Sequence, residues 1–235
     1  DAIAFLYYQP IISLKGDGQE RYSVFIRLRD DRQCVREAKE FLAIAVQTGR
    51  MIAIDRWVIE HAISVLIEQR SQSRHLHFFV NVAEETLRDE HFLGWMGERL
   101  ARQPIPPEWL ILQVMEEYAL TNPSIYARLT RELSALGCRV AINRFGFSQE
   151  PERLLNSLRV DFIKLDAQLI SGIADDDPKF KRLQKLAEVI RDQGSISIAT
   201  NIEDARTLSV LWTAGIDYVQ GNFLQRPAPT LDPIQ

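Results

Sequence analysis

The chain has 235 residues, 46% hydrophobic and 26% charged, with 28 Lys and Arg against 32 Asp and Glu for a net charge of -4. That balance excludes a disordered or fibrous chain, and the small negative charge argues against a protein that grips long nucleic acid through its phosphates, although a locally basic pocket for a small anion stays open. No apolar run reaches the ~20 residues of a membrane span, no signal-peptide pattern opens the chain, and Cys34 and Cys138 lack metal-site spacing, so they are expected to be reduced structural thiols of a cytoplasmic protein.

Ala4 to Ile12 is an apolar run, Gly16-Asp17-Gly18 a turn signal, and Tyr22 to Leu28 a second β-type run. Together they predict a hairpin. From Val35 to Gly49 the spacing turns helical, with Ala38, Phe41, Leu42 and Ala45 on one face and Gly49 as the stop. A second helix is expected from a cap at Asp55 to Arg70, with Val58, Ala62, Val65 and Leu66 as its buried stripe. His77 to Val82 predicts a buried strand, Glu84 to Gln103 one helix, Trp109 to Val114 a strand, and Ser124 to Leu136 a helix ended by Gly137. Arg139 to Asn143 is the next strand, Leu154 to Leu158 a short helical segment, and Asp161 to Asp166 a strand. A helix carrying Phe180, Leu183, Leu186, Val189 and Ile190 on one face, a strand from Ser195 to Thr200, a helix from Glu203 to Ala214 and a strand from Asp217 to Gln220 complete the series.

Strands alternating with helices imply βα units and a parallel sheet. Eight strand candidates favour a closed α/β barrel over an open sheet, with the oddity that the first two form a hairpin, and no glycine-rich dinucleotide or phosphate loop supports the open form. In such a barrel the carboxyl ends of the strands face one mouth. Arg27, Asn81, Gln113 with Glu116, Asn143 with Arg144, Lys164 with Asp166, Thr200 and Gln220 are expected there. A two-metal hydrolase needs several anionic oxygen ligands around cations ~3.5 to 4 Å apart. This set is poor in carboxylates, most visibly in Val140 to Ser148, where Asn143 and Arg144 stand at the strand end.

Several motifs in order make a family resemblance specific. Tyr8-Gln-Pro-Ile11, Ser23-Val-Phe-Ile-Arg27, Asp55-Arg-Trp57, Phe79-Val-Asn81, Ile163-Lys-Leu-Asp166, and Tyr218-Val-Gln-Gly221 followed by Arg226-Pro227 together resemble the EAL-domain family over nearly the whole length. The resemblance implies a modified TIM-type (β/α)8 barrel with an antiparallel first strand, and in active members a metal-dependent phosphodiesterase that opens cyclic di-GMP. It also implies that five acidic ligands are replaced here, at Ser23, Gln113, Asn143, Arg144 and Thr200, while Asn81, Lys164, Glu203 and Gln220 remain. Near Arg144 a cation would meet repulsion of roughly 4 kcal/mol per unit charge at ~4 Å and an effective dielectric of ~20. The expectation is therefore a degenerate domain with no metal cofactor and no hydrolysis.

The ligand-binding types survive. A cyclic dinucleotide calls for an Arg fork, a flat apolar surface and a carboxylate for a guanine edge. The candidates are Gln9, Phe25, Ile26, Arg27, Asp55, Glu203, Asn222 and Gln225. Tyr22 to Arg27 and Gly221 to Gln225 are most similar to degenerate EAL domains of FimX-type receptors. That implies binding of cyclic di-GMP, a PilZ-domain protein as partner, a role in type IV pili and twitching motility, and a single domain spanning residues 1–235 near the C-terminus of a longer multidomain signalling protein.

Plainer readings stand beside these. Phe25 is also an ordinary strand residue, Arg27 a partner for Glu116 or Asp166, Asp55 a helix cap, and Asn222 and Gln225 the finish of a loop. Lys164 lacks the acid-base set that a Schiff-base lysine needs, and His75 and His77 suit an exposed strand edge better than a metal. The competing functions are a protein-interaction scaffold without nucleotide and a residual phosphodiesterase.

Overall fold

The computed structural model describes residues 3–146, 155 and 160–232. The predicted segment Leu154 to Leu158 lies outside the described residues apart from Leu155, as do Phe147 and Ser148 of the Asn143-Arg144 strand.

Among the described residues nine strands form one sheet: β1 (Ile3–Ser13), β2 (Glu20–Arg29), β3 (Val35–Glu37), β4 (Leu76–Asn81), β5 (Leu110–Met115), β6 (Arg139–Phe145), β7 (Phe162–Leu165), β8 (Ile196–Ala199) and β9 (Tyr218–Val219). Their order is β1-β9-β8-β7-β6-β5-β4-β2-β3, and a further β1–β2 pairing closes eight of them into a barrel. β1 runs antiparallel to both β2 and β9, whereas β2, β4, β5, β6, β7, β8 and β9 run parallel. The expected hairpin is present, with Gln9 opposite Ser23 and Tyr7 opposite Phe25.

The apolar runs become strands because helices cover the outside of the barrel and side chains fill its inside, so both strand faces are dry. β4 is buried from Leu76 through Val80. Inside, Ile11, Phe79, Ile111, Ala141, Phe162, Ile198 and Tyr218 make a plug below the mouth. Phe79 and Phe162 meet there edge to face, with ring centroids 4.9 Å apart. A buried aromatic or aliphatic side chain of this kind contributes roughly 1.5 to 3 kcal/mol, so the floor beneath the mouth is a packed layer.

Outside lie α1 (Ala38–Gln47), α2 (Met51–Ser71), α3 (Glu84–Arg88), α4 (Phe92–Ala101), α5 (Glu116–Thr121), α6 (Pro123–Ala135), α7 (Ala167–Ile170), α8 (Asp177–Asp192) and α9 (Ala205–Thr213). Several expectations are corrected. Val35–Glu37 is a strand added to β2, so the first helix starts at Ala38, where a capping box between Glu37 and Glu40 begins it. Helix α2 starts at Met51 after Arg50, which puts Asp55 inside the helix and removes its role as that helix's cap. The single helix expected over 84–103 is two, broken at Asp89–His91, where Asp89 accepts from Arg56 at 2.8 Å. His77 is buried beside Trp109 with ring centroids 6.4 Å apart, so it is no exposed edge residue. Burial and the nearby Arg21 and Arg139 charges hold its imidazole down at about 4. Both cysteines are free thiols, Cys34 exposed and Cys138 buried. Among the described residues no helix is long and apolar enough to cross a membrane.

Candidate functional site

The carboxyl ends of the parallel strands surround a cavity of about 450 Å³. β4 supplies Asn81, β5 Gln113, β6 Asn143 and Arg144, and β7 Lys164 with Asp166 following it. Thr200, Asn201 and Gln220 follow β8 and β9, and Gln9 and Phe25 close the circle from β1 and β2. The mouth expected from the strand ends is therefore assembled, except that Arg27 and Glu116 do not line this cavity.

An ordered hydrogen-bond chain runs from its floor to its rim. Lys164 Nζ donates to Ser23 Oγ at 2.8 Å, Ser23 Oγ to Gln220 Oε1 at 3.0 Å, and Gln220 Nε2 to Gln9 Oε1 at 2.8 Å. Gln9 Nε2 then donates to Asn222 Oδ1 at 3.2 Å and to the carbonyl of Gln225 at 3.0 Å. Lys164 is only 4% exposed, and burial pushes its ammonium from its ordinary 10.5 down to about 7. Its Nζ lies 5.6 Å from the centroid of the Phe79 ring, the top of the plug.

Asn143 and Arg144 owe their placement to an irregularity in the β6–β7 register between Ile142 and Phe145. Bulges of this kind re-aim side chains beside functional sites. Asn143 Nδ2 donates to Asn81 Oδ1 at 3.0 Å, and Asn143 Oδ1 accepts from Arg144 N at 3.0 Å. Arg144 has φ +56°, in the left-handed region that a non-glycine residue seldom occupies. Its Nε reaches Asp166 Oδ2 at 3.4 Å, while Asp166 Oδ1 caps α7 by accepting from Gln168 N at 2.9 Å. Among the described residues Asp166 is the one carboxylate lining the cavity, and no group of three His, Cys, Asp or Glu side chains is placed to hold a metal ion.

A second, more apolar cavity of about 210 Å³ adjoins the first, sharing Phe25 and Asn81. Val24, Ile26, Met51, Ile54 and Val58 form its walls, and Asp55 is its acidic group. Asp55 is 5% exposed, and its Oδ2 accepts from Ala83 N at 2.8 Å and from Thr86 Oγ1 at 2.6 Å. Asp55 therefore holds the N-terminus of α3 from a neighbouring helix. Burial raises its carboxyl from 3.8 to about 6, against the lowering effect of those two bonds. Among the described residues both bonds fall on Oδ2, which leaves Oδ1 for a donor in the cavity.

The remaining candidates sit differently. Arg27 lines neither cavity, donates to the carbonyl of Ile26 at 3.0 Å, and lies over the Tyr7 and Phe25 rings at 5.3 and 5.7 Å from their centroids. Glu203 is exposed beyond Asn201, from whose Nδ2 it accepts at 3.2 Å. Gln225 contributes its backbone carbonyl, and its side chain lines neither cavity. Gln168 and Asn201 also line the first cavity without having been candidates themselves, and the signal available was position just past a strand end, beside Asp166 and Thr200. Gly221 is set by close approach, since a Cβ there would sit 2.2 Å from Ile202 N.

Comparison with known proteins places this arrangement. Cyclic di-GMP phosphodiesterase PdeF of Escherichia coli is 27% identical over 228 residues, 97% of this chain and 30% of PdeF. The chain thus spans about a third of the length of the curated relatives it matches. The FimX EAL domain of Pseudomonas aeruginosa, in a crystal structure bound to c-di-GMP, is 34% identical with a TM-score of 0.91, covering 97% of this chain and 92% of that one. The Xanthomonas citri FimX EAL domain in complex with c-di-GMP is 28% identical with a TM-score of 0.92, covering 98% and 90%. The EAL domain profile matches residues 4–227. On that span, and with its barrel closed by an antiparallel first strand, the chain belongs to the EAL domain family.

Proposed function

We propose that this domain is a receptor for cyclic di-GMP that binds the nucleotide without metal and does not hydrolyse it. The observation that carries this reading is the make-up of the mouth: a buried lysine, two side-chain amides from β5 and β6 and an arginine surround it, and the one carboxylate lining it among the described residues is already engaged by Arg144 and Gln168. A divalent cation needs anionic oxygens, and a fixed guanidinium opposes it.

The adjoining slot suits a guanine. Phe25 offers a ring to stack on, Asp55 Oδ1 an acceptor for a base edge, and Ile26 an apolar wall, while Gln9 and Asn222, bonded to each other, line the larger cavity. Arg27 would reach a phosphate by turning from the Ile26 carbonyl, while Glu203 and Gln225 would serve the second base at the rim. A charged hydrogen bond contributes ~1.5 to 3 kcal/mol and a stacked base ~1 to 3, so four or five such contacts reach the ~8 kcal/mol of a micromolar complex. The two FimX domains solved with c-di-GMP support the ligand, being similar over nearly the whole chain. We propose further, from the motif resemblance to FimX-type receptors, a cytoplasmic receptor that signals through protein contacts, with a PilZ-domain protein of a type IV pilus system as partner.

Calorimetry decides the first point. Binding with a Kd in the micromolar range is expected, and no heat at ~100 µM nucleotide, weaker than ~5.5 kcal/mol, refutes it. Incubation with Mg2+ or Mn2+ is expected to leave the nucleotide cyclic. A linear dinucleotide product that disappears in Lys164→Ala would instead favour a residual phosphodiesterase, the reading to which the likeness to PdeF points.

A further inference from the structure

Gln113 is 1% exposed and lines the mouth cavity, yet among the described residues neither its Nε2 nor its Oε1 has a hydrogen-bond partner. A buried amide with neither end satisfied is costly in a folded protein, and such a group marks a place that a ligand or ordered water completes. On the same floor Lys164 is buried with one hydrogen-bond partner among the described residues, the uncharged Ser23 hydroxyl, which leaves two of the three N–H donors of its ammonium form for a ligand. Arg144 is bonded to Asp166 through Nε, and its side chain is 62% exposed at the rim. Floor and rim together thus offer unclaimed donors and two cationic groups, against one carboxylate among the described residues whose two oxygens are already taken.

Resting on the receptor reading above, we infer that Gln113, Lys164 and Arg144 form an anion site that takes a phosphodiester oxygen of the nucleotide directly. Lys164 Nζ and Gln113 Nε2 donate to that oxygen from below, and Arg144 closes on it from the rim. Gln113 Oε1 needs a donor, which a phosphodiester lacks and the neighbouring ribose 2′-hydroxyl supplies. The recognised unit is therefore a phosphate oxyanion beside a hydroxyl. It arrives on the cyclic dinucleotide, and inorganic phosphate presents the same chemistry in reduced form.

The test compares wild type, Lys164→Met and Gln113→Leu in chelator-treated buffer by calorimetry, with denaturant curves confirming that each variant is folded. For cyclic di-GMP, Lys164→Met is expected to weaken binding at least tenfold and Gln113→Leu at least threefold, while guanosine, which lacks the phosphate, binds all three alike. Adding Mg2+ to wild type is expected to change affinity less than twofold. Cyclic di-GMP affinities within twofold of wild type in both variants overturn the anion site and leave the receptor reading intact. If wild type binds no cyclic di-GMP the receptor reading fails, and inorganic phosphate becomes the probe. Millimolar phosphate binding that is lost in Lys164→Met then upholds the site, and its absence from wild type overturns it. Should Lys164→Met not fold, Gln113→Leu decides by the same criteria.

Discussion

Replacing Lys164 by Met should stabilise the domain at neutral and mildly acidic pH while damaging the site. Burial lowers the Lys164 pKa from 10.5 to about 7, and at 1.36 kcal/mol per unit that corresponds to an upper limit of roughly 5 kcal/mol. The sign follows from proton counts. Between about pH 7 and 10.5 the unfolded chain carries a proton on this lysine that the folded chain has shed, so stability rises with pH across that window. Below about pH 7 both states are protonated, and the full cost of the buried charge stands. Met fills much the same volume without charge. Ser23 Oγ loses the lysine's donor but still donates to Gln220 at 3.0 Å, which returns about 1 kcal/mol of the gain. The net expectation is ~2 to 4 kcal/mol greater stability than wild type at pH 6, shrinking towards zero near pH 10.5. Urea unfolding of both proteins from pH 6 to 10 measures this. A difference between the two that stays constant within ~0.5 kcal/mol across that range, or a less stable variant at pH 6, would refute the reasoning.

Asp55, raised from 3.8 to about 6, carries the opposite linkage. Between those values the folded chain keeps a proton that the unfolded chain has lost, so this group adds stability as pH falls through the window. The proposed guanine contact uses the ionised form, so affinity is expected to weaken severalfold from pH 7.5 to 5 in calorimetry, and a flat profile would remove Asp55 from the guanine slot. Arg27→Ala is expected to weaken cyclic di-GMP binding by ~1.5 to 3 kcal/mol; an unchanged Kd would leave Arg27 as packing for Tyr7 and Phe25. Gly221→Ala forces a Cβ to within 2.3 Å of the Ile202 carbonyl oxygen, and a loss of more than ~2 kcal/mol in denaturant stability is expected, since backbone must move.

The barrel was legible because its evidence is local and repeated. Runs such as His77 to Val82 and Trp109 to Val114 alternate with helical spacing, and strands buried on both faces have no other reading. The hairpin that reverses β1 was equally plain from Gly16-Asp17-Gly18. Features that depend on distant residues were hidden. Asp55 carries the composition of a cap, and it does satisfy a helix N-terminus, but that of α3 across a tertiary contact. Val35–Glu37 carries no strand pattern of its own, because only the neighbouring β2 makes it one. At the break over Asp89–His91, Asp89 stands just past the end of α3, where it pairs with the distant Arg56 of α2 and accepts from His91 N at 3.1 Å. Among the site residues, Gln9, Phe25, Ile26, Asp55 and Asn222 line the two cavities, whereas Arg27, Glu203 and the Gln225 side chain stand outside them. Spacing along a strand fixes the face on which a side chain lies, not how far it reaches.

While Lys164 is protonated, the hydrogen-bond chain from it to the 222–225 loop has a direction that is decided at both ends. A protonated lysine can only donate and the Gln225 carbonyl can only accept, so the amides of Gln220 and Gln9 each have one permitted orientation between them. Like a row of compass needles, they transmit polarity rather than displacement. Substituting Glu for Lys164 would set an acceptor against Ser23 and favour the reverse order, which the fixed carbonyl at the far end forbids. The rim of the mouth is thereby tied to the chemical identity of one atom at the centre of the barrel.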